Sequence, residues 1–209
     1  MKNVNEILSY FDELHPNPVC ALNFSNTYEL LVAVILSAQC TDERVNRVTP
    51  ALFKLANTPE KMLALGENNL KELIFSCGFY NNKSKAILEM SKDLVEKHNG
   101  QVPSTMKELI SLAGVGRKTA NVVLGVAFNE QTIAVDTHVH RVSKRLGLTP
   151  QSSTPAKCEN DLIKLIPNNR RTKFHHQAIW FGRLTCKAQK PLCENCKLKD
   201  ICKYYKRKK

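Results

Sequence analysis

Apolar residues recur every three to four positions along most of the chain. Val4, Ile7, Leu8, Phe11 and Leu14 form one stripe, which predicts an amphipathic N-terminal helix. "LLVAVIL", Leu30 to Leu36, is apolar on every side and predicts a central buried helix. That helix opens near Asn26, with Glu29 three positions on as a capping-box partner. In "TPEKMLALG", Thr58 is the cap, Pro59 the first helical residue and Gly66 the terminator. "NNKSKAILEMSKDLVEKHNG" predicts a long helix that starts after the asparagines and stops at Gly100. "STMKELISLAG" predicts a helix ending at Gly114, and "RKTANVVLGVAF" another after only Val115 and Gly116. Further helices are predicted in "THVHRVSKRLG", in "TPAKCENDLIKLI" and in "TKFHHQAIWFGRLTC".

These elements predict an all-α fold. "QTIAV" is the one short extended candidate, and no internal repeat appears. The connections are short, so no linker marks a domain boundary. With 209 residues the chain is long enough for one large or two small cores. Its longest strongly apolar run falls far short of the ~20 residues of a membrane span. The N-terminus lacks the apolar core of a signal peptide. The expectation is a cytoplasmic protein with no membrane partner.

Charge narrows the partner. A formal net charge of +12 argues for a polyanion, nucleic acid before an anionic membrane surface. Of eight cysteines, Cys186, Cys193, Cys196 and Cys202 crowd into the last 24 residues, which in a reducing compartment suggests metal ligation rather than disulfides.

The segment "LAGVGRKTAN" joins two predicted helices by the turn Gly114–Val115–Gly116. Glycine permits positive φ and close backbone approach, and the amides of such a turn and of the next helical turn (Arg117, Lys118, Thr119) form an anion site suited to a DNA phosphate. The alternative is a plain helix cap without a ligand. Lys118 raises a second question. Arg117 and Lys118 open a helix at its positive end, where the dipole and the neighbouring arginine disfavour another positive charge. A lysine so placed suits Schiff-base chemistry, although simple phosphate neutralisation explains it as well.

Asp136, in "IAVDTHVHR", precedes a predicted helix and suits its N-cap. It follows Lys118 by eighteen positions, so a return segment after the intervening helix can bring its carboxylate back beside the lysine. There it could stabilise developing positive charge or move protons, and neither role excludes capping. His138 and His140 lie two positions apart on that helix and face different ways, so they read as packing or DNA-facing residues.

The cysteine tail has the spacing C-x6-C-x2-C-x5-C. Four thiolates suit zinc or an iron–sulfur cluster, and the spacing alone leaves both open. From Cys186 on, nine lysines and arginines oppose Glu194 and Asp200, a formal +7. Lys187 and Lys190, in the loop between the first two cysteines, are candidates for docking on DNA.

Together "SAQCTD" (Ser37 to Asp42), "GVGRKTANVVL", "VDTHVHR" and the cysteine tail resemble the endonuclease III family of the helix-hairpin-helix DNA glycosylase superfamily. The resemblance runs from about Leu22 to Cys202. It implies two helical lobes with a DNA-binding cleft between them. Residues 22–131 would form a helical barrel ending in the hairpin. The N-terminal helix, within residues 1–21, would pack with a C-terminal lobe, 132–209. It implies one [4Fe–4S] cluster on Cys186, Cys193, Cys196 and Cys202, with Lys118 as nucleophile and Asp136 as its catalytic partner. Gln39 matches a residue that fills the space left by a flipped nucleotide, and Phe79 stands where the family often has an aliphatic wedge. The implied activity is removal of oxidised pyrimidines, with strand cleavage by β-elimination. The expected partner is double-stranded DNA carrying such lesions or abasic sites, met by a nucleoid-associated monomer. Ala113, Cys40 and Gln189 depart from the family pattern. Two rivals are a monofunctional adenine-glycosylase relative and a non-catalytic DNA-binding module. The first lacks the lysine and carries a further C-terminal domain.

Overall fold

The computed structural model describes residues 2–207, and the described residues form helices, turns and irregular segments without a strand. The helices in chain order are α1 (Lys2–Leu14), α2 (Thr27–Leu36), α3 (Asp42–Leu55), α4 (Pro59–Leu65), α5 (Glu67–Ile74), α6 (Tyr80–His98), α7 (Met106–Leu109), α8 (Arg117–Ala127), α9 (Thr137–Leu146), α10 (Pro155–Leu165), α11 (Arg171–Leu184) and α12 (Lys203–Lys206). Short 3₁₀ turns occupy Phe75–Cys77 and Asn168–Arg170. The chain divides into two compact units. One is Cys20–Asn129; the other joins the segment up to Val19 to the segment from Glu130 onward.

In the Cys20–Asn129 unit, α2 is the central element. Every residue from Tyr28 to Leu36 is buried, which accounts for its lack of a polar face. Asn26 caps it, accepting from the Glu29 amide at 2.8 Å, and the Glu29 carboxylate returns to the Ser25 amide at 2.6 Å. Around it pack Val45, Leu52, Leu70, Ile74, Ile87, Met90, Ala120 and Val123, each fully enclosed. Burial of side chains of this size is worth about 1.5–3 kcal/mol each.

The other unit is held by a second core. Three residues of the α1 stripe, Ile7, Leu8 and Phe11, are at most 5% exposed. Phe11 stacks on Phe174 at 5.9 Å between centroids and meets Phe181 at 5.0 Å. The Asp12 carboxylate ties α1 to α11 through Lys173 (2.7 Å), Gln177 (3.0 Å) and Arg170 (2.8 Å). The N-terminal helix and the C-terminal third of the chain are therefore one body.

Several elements differ from the sequence pattern. The helix expected from Ser104 to Gly114 is a single turn, Met106–Leu109, capped by Thr105 and followed by turns. Ile110 continues its apolar period but is 49% exposed, so nothing holds a second helical turn. The long helix starts at Tyr80, before the asparagines, and ends at His98 with Asn99 in the left-handed region as C-cap. α3 and α5 do not stand out in the pattern. α3 carries Pro50 inside it, which would ordinarily argue against a helix. "QTIAV" has no regular secondary structure and pairs with no strand among the described residues.

Candidate functional site

The glycine turn assigns its two glycines separate tasks. Gly114 has φ +73°, and a methyl group there would sit 2.8 Å from the Ala86 Cβ on α6. It is needed for backbone conformation and for packing. Gly116 has an ordinary φ of −91° and open space where a side chain would stand. It is the N-cap of α8, and no side chain caps that helix. The first-turn amides of α8 therefore face a surface that a phosphate can approach. Val115 departs from its expected place among the phosphate contacts. Its side chain is in the core, 6% exposed, and its amide donates to the Leu112 carbonyl at 3.2 Å. It shapes the turn and offers little to a ligand. Arg117 and Lys118 are exposed and Thr119 is half-buried.

Asp136 is the N-cap of α9, its carboxylate accepting from the Val139 amide at 2.7 Å. Capping occupies one oxygen and leaves the half-buried side chain with acceptor capacity. On the same helix Arg141 donates to the Gly182 carbonyl (2.8 Å) and the Cys186 carbonyl (3.2 Å), and lies 3.2 Å from His138 Nδ1. His140 bonds the Ser153 carbonyl at 2.7 Å. Both histidines are half-buried and held by hydrogen bonds.

Gln39 and Phe79 share a backbone property that their residue types do not announce. Both lie in the left-handed region, at φ 53° and 49°, and both are exposed. Outside asparagine and glycine, the only other described residue there is Lys190, at φ 46°. Such strain persists only where the surroundings over-determine it, and it concentrates at functional loops. Three residues proposed for DNA contact from the sequence are thus the three strained ones.

The cysteine tail folds as a string of turns after α11. The Cys196 amide donates to the Cys193 carbonyl (3.1 Å), Lys199 to Cys196 (3.1 Å) and Cys202 to Leu198 (2.9 Å). All four cysteines line one small pocket, walled by Leu146, Phe181, Pro191, Leu192 and Tyr204. Burial pushes the Cys186 and Cys196 thiols up, so thiolates in this pocket need a cationic centre. Four soft sulfur donors lining one pocket fit a thiolate-bound metal centre. Arg145 holds the adjoining loop, donating to the carbonyls of Lys187 (2.6 Å) and Ala188 (3.0 Å) while lying over the Tyr204 ring at 4.3 Å. Lys187 and Lys190 are both exposed on that loop.

The model of the HhH-GPD superfamily of base excision DNA repair proteins matches residues 32–168. The iron–sulfur binding domain of endonuclease III matches residues 186–202, the span of the four cysteines. The endonuclease III of Haemophilus influenzae is 47% identical over 199 residues, covering 95% of this chain and 94% of that one. The chain belongs to the endonuclease III family. The family's member from Bacillus subtilis is 46% identical over 203 residues, covering 97% and 93%. A trapped endonuclease III–DNA covalent intermediate has a TM-score of 0.96 at 44% identity, covering 99% of this chain and 97% of that one. A thermostable thymine-DNA glycosylase, at 22% identity and a TM-score of 0.87, shares the fold. As a member of the endonuclease III family, the protein is a base excision DNA glycosylase with AP lyase activity, its partner is DNA, and its cofactor is a [4Fe–4S] cluster. Among the described residues no helix is long and apolar enough to cross a membrane.

Proposed function

We propose that the chain removes oxidised pyrimidines from double-stranded DNA and cuts the resulting abasic site, with Lys118 as nucleophile and Asp136 as its partner. The observation that carries this is the exposure of Lys118 in the first, uncapped turn of α8, beside the open space over Gly116. An amine there stands next to the amides that grip a phosphate, and so next to a deoxyribose.

The chemistry runs in two stages. The Lys118 amine attacks C1′, the C1′–N bond breaks, and the base leaves with its electron pair and takes a proton. The amine then loses a proton, and its lone pair forms the C1′=N bond of a Schiff base as the C1′–O4′ bond breaks and O4′ takes a proton, opening the sugar ring. Loss of a C2′ proton and departure of the 3′ phosphate complete the β-elimination, and water releases the lysine. Asp136 stabilises the positive charge that develops on the sugar and relays protons. The target nucleotide is first extruded, which costs a few kcal/mol and less at a damaged pair. Gln39 fills the vacated space and Phe79 wedges the stack.

Cys186, Cys193, Cys196 and Cys202 hold the cluster, and the loop it shapes presents Lys187 and Lys190 to phosphates. The protein acts as a cytoplasmic, nucleoid-associated monomer. Base release from duplexes with a single oxidised pyrimidine, beside undamaged and oxidised-purine controls, tests the lesion class. Release confined to oxidised pyrimidines is expected; equal release from purine lesions would overturn it.

A further inference from the structure

Lys83 is a buried lysine on α6, 6% exposed, and it has no carboxylate partner among the described residues. Its ammonium donates to two backbone carbonyls, Leu36 at 2.8 Å and Cys77 at 2.9 Å. Leu36 is the last residue of α2, and Cys77 the last of the 3₁₀ turn Phe75–Cys77. Both carbonyls belong to helix ends, where intrahelical partners run out. Burial holds the Lys83 amine below its ordinary value, so its site is not optimised for charge stability. A buried ammonium with only two neutral acceptors is a costly arrangement for stability alone.

What it joins explains the arrangement. Gln39 lies three residues beyond Leu36, and Phe79 two residues beyond Cys77. Both are strained, left-handed residues assigned to the DNA stack under the proposed function. The Lys83 amide also donates to the Phe79 carbonyl at 3.0 Å. Backbone and side chain of one residue therefore grip the Gly78–Phe79 kink from both sides, while the same ammonium reaches the stem of the Gln39 turn. The Cys40 and Cys77 thiols also meet here, and burial with Cys40 alongside pushes the Cys77 thiol up to about 11. A contact between two sulfur atoms is a weak hydrogen bond at best, so the ammonium is the element that fixes one turn relative to the other.

We propose that Lys83 is a positioning residue that clamps the Gln39 and Phe79 turns together, so that both enter the duplex as one unit when the target nucleotide is extruded. It touches neither DNA nor the reacting atoms. The proposal rests on the assignment of Gln39 and Phe79 as the residues that enter the stack. It predicts that losing the clamp harms steps that need base extrusion and spares steps that do not.

The test compares AP-site cleavage in duplex DNA with cleavage of the same abasic strand single-stranded, where no opposite base or intact stack must be displaced. Lys83→Met removes the donor and keeps the apolar stem. Duplex cleavage should fall about tenfold, with single-strand cleavage within about twofold of wild type. Circular dichroism and the visible absorption of the cluster check folding. If Lys83→Met does not fold, the ratio is read on Lys83→Gln, whose shorter side chain cannot make both bonds of the ammonium, to Leu36 and Cys77, and so also loses the clamp. Gln39→Ala and Phe79→Ala are measured alongside. If these lower the duplex-to-single-strand ratio and the Lys83 variants leave it unchanged, the clamp is wrong. If neither Gln39→Ala nor Phe79→Ala lowers it, the assignment of those two residues is wrong instead.

Discussion

A methyl group placed on Gly114 would lie 2.8 Å from the Cβ of Ala86, whereas one placed on Gly116 would meet nothing within 4 Å. Two glycines of one short turn are therefore held for different reasons. Gly114→Ala combines left-handed strain with a steric clash and should lower stability by about 1–3 kcal/mol in urea unfolding. Gly116→Ala should lower stability by no more than about 1 kcal/mol, the cost of alanine at an N-cap. It should still weaken binding to abasic duplex at least about threefold, by blocking close approach to the amides. Equal stability loss in both variants would contradict this division.

Asp136 caps α9 through the Val139 amide, and that bond separates structure from chemistry. An asparagine side chain still accepts such a bond, so Asp136→Asn should keep the melting temperature within about a degree or two. Asp136→Ala should lose about 1 kcal/mol. Both should slow base release about a hundredfold or more, because both lose the charge. Activity that tracked stability across the pair would reduce Asp136 to a cap.

The four cysteines share one cavity with apolar walls. Cys196→Ala should lower bound iron and sulfide, bleach the visible absorption, and weaken DNA binding through the Lys187–Lys190 loop. Cys20→Ala should retain full iron. Unchanged iron in Cys196→Ala would refute its assignment as a ligand.

Acid should destabilise the unit containing α1 and α11 before the carboxylates titrate. Burial holds both His15 and His176 below the ordinary imidazole value. Each is thus neutral when folded, while the unfolded chain takes up a proton as pH falls through about 6.5. Their contribution is complete above that value and is lost as pH falls toward the folded-state values. The urea midpoint should be lower at about pH 5.5 than at about pH 7.5. A flat profile would contradict this. Asp12, held below its ordinary value with Lys173, Gln177 and Arg170 around it, loses its contribution only in more acidic solution.

Local chemistry was the legible part of this fold. Thr58, Thr154 and Asn26 cap the helices that their residue types announce, because a cap needs only its own next three residues. The all-round apolar run of α2 and the stripe of α1 were legible for the same reason. Elements decided by tertiary context were not. The helix after Ser104 stops at Leu109 because Ile110 finds no core to enter, and α3 tolerates Pro50 because its neighbours hold it. At the site, the motif residues could be named in advance, but the left-handed backbone of Gln39, Phe79 and Lys190 could not, since none of these residue types favours it. Lys83 gave no signal at all. In "NNKSKA" it reads as one more surface lysine, and only the meeting of two helix ends reveals its role.

Borohydride trapping on an abasic duplex decides whether Lys118 is the nucleophile. Borohydride reduces a Schiff base to a stable amine, so wild type should yield a covalent protein–DNA adduct. Lys118→Ala should bind the same duplex with comparable affinity and yield none. An adduct of undiminished yield from Lys118→Ala would contradict the account and place the reacting amine elsewhere.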